Sequence, residues 1–140
     1  MGKWRELYSA LITKQNNSIK INPPANHEQI SSVEETLGNK LPMELMELLL
    51  EMNGDGWFVF STEQMIEINM MVRGLDCFMP LNCLLFFAGN GCGDYYGFPV
   101  TPSDGVRDDR VFMWEHEYDN RVWKAKNMED TILKYYNDEI

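Results

Sequence analysis

Apolar positions in this chain recur first at a helical period and later at a strand period. Trp4, Leu7, Tyr8, Leu11 and Ile12 fall at helical spacing and predict an amphipathic helix over 3–14. The polar stretch Gln15 to Asn22 runs into Pro23-Pro24 and reads as a loop. Asn26 with Gln29 forms a capping-box pattern. It opens a second helix that places Ile30, Val33 and Leu37 on one face and stops at Gly38. Lys40 to Gly56 reads as a third helix, with Pro42 in its first turn and Gly54 as its left-handed stop. Leu41, Leu45, Leu48, Leu49 and Met52 form its broad apolar face, which Met43, Met46 and Leu50 extend round the back. Only a narrow stripe of Glu44, Glu47 and Glu51 remains polar. A helix apolar on nearly every side is a buried one, so the core is expected to form around it. The short linker Gly38-Asn39-Lys40 implies that the second and third helices pack as neighbours.

Beyond Gly54 the period shortens. Gly56 to Phe60 reads as a short strand. Ser61-Thr62-Glu63-Gln64 is cap-like, and Met65, Ile66, Asn69 and Met70 continue a helix to about Gly74. Gly74 to Pro80 is a connector. Leu84 to Ala88 is a continuous apolar run, Gly89 to Asp94 a turn cluster, and Tyr95 to Val100 an aromatic strand, which together predict a hairpin. Pro99 implies that the second strand reaches a sheet edge or ends there. Thr101 to Asp109 reads as a polar loop, Val111 to Trp114 as a third strand, Glu115 to Asn120 as an acidic turn and Arg121 to Lys126 as a fourth strand. Asn127 and Asp130 then cap a last helix with Met128, Ile132, Leu133 and Tyr136 on its apolar face. Helices first, strands next and one helix last indicate an α+β fold. N-terminal helices pack on an antiparallel sheet, with a C-terminal helix, in one domain over 1–140.

Charge narrows the function. Twelve basic residues face 22 acidic ones, giving a net charge of −10. Leu41 to Val72 holds Glu44, Glu47, Glu51, Asp55, Glu63 and Glu67 with no Lys or Arg. Asp104 to Asp119 holds six more acids against Arg107 and Arg110. That sign opposes nucleic-acid binding and favours capture of a basic partner, as well as plain solubility. No apolar run of about 18 residues exists to span a membrane. The interrupted N-terminus does not read as a signal peptide. Cys77, Cys83 and Cys92 are odd in number and lack zinc spacing, so they are expected as free thiols, buried or half-buried, in a cytoplasmic protein.

Candidate chemistry is sparse. The glycine run Gly89 to Gly93 is followed by a strand and closed by Asp94, whereas a phosphate loop needs a helix there. His116 sits in Trp114-Glu115-His116-Glu117 without the second histidine of a zinc helix, and His27 is the only other histidine. Asp104, Asp108 and Asp109 lack calcium-loop spacing. No metal or cofactor is expected. An enzyme would require Cys92 and His116 to meet across neighbouring strands. Nothing else in the pattern suggests catalysis, and the chain reads as a non-enzyme.

Several of these stretches resemble the SUKH superfamily, related to the yeast cell-wall-synthesis regulator and abundant in bacteria. Ile30-x-x-Val33-Glu34-x-x-Leu37-Gly38-x-x-Leu41-Pro42-x-x-Leu45-x-x-Leu48-Leu49, ending at Asn53-Gly54, is similar to its N-terminal signature. Gly93-Asp94-Tyr95-Tyr96-x-Phe98 and Val111-x-x-Trp114-Glu115-His116-Glu117 resemble its hairpin and late strand. The resemblance implies an immunity protein that binds and neutralises a cognate toxin, and it carries no catalytic residues. The implied partner is a basic protein, in many cases a nuclease, and neither a nucleic acid nor a membrane. Asp94, Tyr95, Tyr96, Glu115, Glu117 and Asp119 are the first candidates for the contact surface. Trp57 and the Glu44, Glu47, Glu51 stripe come second. Of Tyr95 and Tyr96, adjacent in one strand, one should face the core and the other solvent. The alternative is a non-catalytic regulatory or scaffold module for another protein or a small ligand. The segment Met65 to Asn82 has no counterpart in the resemblance, so partner-specific variation is expected there. The identity of the toxin and the oligomeric state stay open.

Overall fold

A computed structural model describes residues 2–15, 19–103 and 105–140. Part of the polar loop after the first helix (16–18) and Asp104 of the acidic run lie outside the described residues. Among the described residues, five helices accompany an antiparallel sheet. In chain order the elements are α1 (Lys3–Gln15), α2 (His27–Leu37), α3 (Met43–Glu51), α4 (Thr62–Arg73), β1 (Leu84–Gly89), β2 (Tyr95–Thr101), β3 (Gly105–Val106), β4 (Val111–Glu115), β5 (Asn120–Ala125) and α5 (Met128–Tyr136). The sheet runs β1-β2-β4-β5, with β3 paired to the end of β2. This is the expected α+β class, with a C-terminal helix.

Helix ends follow their capping chemistry. Asn26 accepts from the Gln29 amide, Gln29 reaches back to the Asn26 amide, and Gly38 ends α2 at φ +73. Ser61 and Gln64 repeat the reciprocal box at the start of α4. Asn127 accepts from the Asp130 amide at the start of α5.

The third helix is shorter than its pattern suggests. It ends at Glu51, and Met52 is already extended at φ −157. Pro42 caps it from outside, with ψ 149, instead of occupying the first turn. Gly54 is left-handed at φ +85, but its work lies in the following loop, where a Cβ would come within 2.7 Å of the Ser61 amide nitrogen. Leu45, Leu48 and Leu49 are wholly buried as expected, whereas Met43 points into solvent.

Gly56 to Phe60 forms no strand. A single bridge joins Val59 to Ala88. The reason is Asp55, whose Oδ1 accepts the amides of Trp57, Phe58 and Val59 at 2.9, 2.7 and 2.9 Å. Those three N–H groups are therefore not free to form a ladder. The other oxygen, Oδ2, accepts the hydroxyls of Tyr8 at 2.8 Å and Tyr136 at 2.7 Å. Asp55 has no exposed surface. One buried carboxylate thus ties α1, the α3–α4 loop and α5 together, and five donors compensate its desolvation.

Helices α2 and α3 touch, but α2 packs more extensively against α4. The Arg73 guanidinium fixes this arrangement by donating to the Leu37 carbonyl at 2.9 Å and to Asn39 Oδ1 at 3.0 Å. Buried Asn69 joins α4 to β1. Its amide donates to the Phe86 carbonyl at 3.0 Å, and its oxygen accepts the Phe86 N–H at 3.0 Å. It serves β1 as a neighbouring strand would, so β1 is buried along its whole length. Strand β2 is interior to the sheet, and Pro99 does not end it. Pairing with β4 stops at Gly97 and pairing with β3 starts at Val100, which leaves Pro99 where β4 needs no donor.

Candidate functional site

Two turns come together at one end of the sheet. The first joins β1 to β2. Asn90 Oδ1 accepts the Cys92 amide at 2.8 Å, the Asn90 amide donates to the Asp94 carbonyl at 3.2 Å, and Gly91 and Gly93 take φ of +81 and +95. The second joins β4 to β5. Asp94 connects them: its Oδ1 accepts the His116 amide at 3.1 Å and lies 2.8 Å from His116 Nδ1. The imidazole covers Gly93 so closely that a Cβ there would sit 3.0 Å from the ring. Burial alone would raise the Asp94 pKa. Hydrogen bonds from the His116 ring and amide and from Asn90 outweigh it and hold the carboxyl below the usual range.

The tyrosine pair takes opposite faces of β2, but the member expected to face solvent is itself packed. Tyr96 is buried, packs edge-on against Phe58 at 5.2 Å, and has its phenol pushed up to about 12, first by burial and then by the Asp94 charge. Tyr95 lies on the opposite face. It is half-buried and not free: its ring meets Phe60, Phe86 and Trp114, the last in a stacked arrangement at 6.2 Å. Both rings therefore act mainly as packing for the two turns.

Asp119 is also committed internally. At φ +56 it turns the chain, and its carboxylate accepts the Met79 amide at 2.9 Å, Trp114 Nε1 at 2.8 Å and an Arg121 N–H at 2.9 Å. The Met79 amide is the foremost cause of its lowered pKa, ahead of Trp114 and Arg121. Arg121 in turn donates to the Met79 carbonyl at 2.9 Å. The connector after α4 is thereby fastened to the β4–β5 turn. What reaches solvent there is Glu117, the 73% exposed Tyr118, and half-buried Glu115, which accepts from Asn120 at 3.2 Å.

The second-choice residues lie on other elements. Trp57 is 58% exposed and donates to the Tyr135 hydroxyl at 2.8 Å, against α5. Glu51 caps α1 by accepting the Trp4 and Arg5 amides at 2.9 and 3.0 Å. Glu47 is exposed. The Glu44 pKa is raised by burial, relieved by Lys3, and raised further by Asp108, Glu129 and Glu47. The stripe thus divides into one structural cap, a half-buried Glu44 that feels Glu129, and an exposed Glu47.

The three cysteines are all exposed, contrary to the expectation of burial, because each sits in a connector or turn and not in an element. Cys92 and His116 share one end of the sheet, yet among the described residues no hydrogen bond joins them, and the imidazole is directed to Asp94. Also among the described residues, no group of three His, Cys, Asp or Glu is arranged to hold a metal ion, and no helix is long and apolar enough to cross a membrane.

The residue that pattern reading passed over is Asp55. A visible signal was present: an acid between two glycines, directly ahead of an aromatic run and with no cation in the same stretch.

Comparison with curated proteins found no match. Comparison with protein families matched residues 24–134 to one described as the SMI1 / KNR4 family (SUKH-1). The match spans α2 through most of α5 and includes the joined turns, while α1 precedes it. Covering well over half of the sequence, it shows that the chain belongs to the SMI1 / KNR4 family (SUKH-1).

Proposed function

We propose that this protein is an immunity protein: a non-catalytic cytoplasmic module that binds a basic toxin domain stoichiometrically and blocks it. Family membership supports the class. The observation that carries the mode of binding is the Asp94–His116 junction. It joins two turns into one end from which Glu117 and Tyr118 project, with Glu115 beside them. A preordered end loses little conformational entropy on docking. An exposed aromatic flanked by carboxylates suits a partner whose active cleft is cationic. The internal roles of Asp94, Tyr95, Tyr96 and Asp119 make them supports of this surface, and Glu115, Glu117 and Tyr118 its contacts.

The test is co-expression in bacteria with the C-terminal domain of the toxin encoded beside this chain's gene. The wild-type chain should restore growth. Glu115→Lys with Glu117→Lys should restore it poorly while folding normally. Equal rescue by both proteins would remove the turn from the account, and no rescue by the wild type would remove the toxin.

A further inference from the structure

The carboxylate end described above has an apolar neighbour that it does not explain. Helix α4 and the connector after it expose Met70 (50%), Met71 (49%), Leu75 (37%) and Met79 (67%). The Met79 amide is bonded to Asp119 and its carbonyl to Arg121, so the connector end of this strip is fastened to the turn that carries Glu117 and Tyr118. Four large apolar side chains are exposed within ten positions, two on the last turn of α4 and two on the connector, a local density unlike single exposed residues, which are ordinary. Thioether side chains adapt their shape to a partner at small cost.

The electrostatic setting selects the occupant. Glu63, Glu67, Asp76 and Glu117 are exposed around the strip. No lysine occurs anywhere between Lys40 and Lys124. The two arginines nearby face inward: Arg73 binds the Leu37 carbonyl and Asn39, and Arg121 binds Asp119 and the Met79 carbonyl. The rim is therefore anionic and its cations are already committed.

We infer that Met70, Met71, Leu75 and Met79, together with Tyr118, form the apolar centre of the toxin-binding surface, and that it docks a protein face with an apolar contact ringed by Lys or Arg. The inference rests on the toxin-binding reading and adds the surface to it. Interfaces of this kind derive most of their affinity from a desolvated centre, with rim charges setting approach and register.

The test measures binding of the full chain to the adjacent toxin domain by calorimetry, for the wild type, Leu75→Asp, Met79→Asp and the control Met43→Asp. Met43 is 71% exposed on α3, outside the strip. Met79→Asp and Met43→Asp should melt close to the wild type because those side chains are 67% and 71% exposed, whereas Leu75, 37% exposed, loses some packing as Asp, so its binding is read only at temperatures where that variant is folded. Weakening by about tenfold or more for Leu75→Asp and Met79→Asp, with Met43→Asp unchanged, is the expected result. Tight binding by every variant overturns the surface and leaves the toxin-binding reading intact. No binding by the wild type overturns that reading, and the surface with it. A wild-type dimer in sedimentation that Met79→Asp dissociates would assign the strip to a second copy of this chain and overturn the inference as well.

Discussion

The Tyr136 hydroxyl donates a 2.7 Å hydrogen bond to Asp55 Oδ2 across a sequence separation of 81 residues. It closes the chain on itself, because the same oxygen holds Tyr8 of α1. Removing the acceptor strands three amides and two phenols together. Asp55→Ala should cost on the order of 3–5 kcal/mol, whereas Tyr136→Phe, which deletes a single donor, should cost about 1–2 kcal/mol. Urea midpoints for the two variants check the ratio.

The same node predicts alkaline behaviour. The Tyr8 phenol is raised well above its ordinary pKa by burial and then by Asp55, and Tyr136 is raised by the same causes in the same order. In the unfolded chain these phenols release protons near pH 10, as ordinary tyrosines do. Above that pH the unfolded state binds fewer protons than the folded one. Stability is therefore complete below about pH 10 and falls as pH rises toward the folded values. Stability measured against pH in the alkaline range should decline less steeply for a Tyr8→Phe, Tyr136→Phe double variant than for the wild type.

At the acid end the sign reverses for Asp94. Its folded pKa lies below the unfolded value of about 3.9. Its contribution is present above the unfolded pKa and lost as pH falls through the folded one. Asp94→Asn should be less stable than the wild type at neutral pH, and the gap should close on acidification below about pH 4. A gap that stays constant across that range would show that the carboxylate charge is not what joins the two turns.

Much of this was legible in the sequence, and the remainder failed for identifiable reasons. Asn26, Gly38, Ser61 and Asn127 mark helix ends because capping is local and needs only a few neighbouring residues. The hairpin around Gly91 and the two faces of Tyr95 and Tyr96 follow from the strand period. The stretch after Gly54 misled, because aromatic richness counts for a strand only if the amides are free, and Asp55 had taken them. Asp94 and Asp119 were legible as acids of the right turns. That their partners would be His116 and the Met79 amide depends on packing between segments distant in sequence, which no local pattern encodes.

Glycines in the two loops should differ in tolerance. Gly91 is left-handed at φ +81 with open space where a Cβ would go, so Gly91→Ala should cost only about 1–2 kcal/mol. At Gly54 an added Cβ would also meet the Ser61 amide nitrogen at 2.7 Å, so Gly54→Ala should cost clearly more. Comparing the melting temperatures of the two variants decides this.

The most direct measurement is the affinity of the wild-type chain for the adjacent toxin domain, titrated at a series of salt concentrations. The acidic end predicts one-to-one binding that weakens steadily as ionic strength rises, with a shallower slope for Glu115→Lys with Glu117→Lys. Affinity that is indifferent to salt, or absent at low salt, would contradict the account.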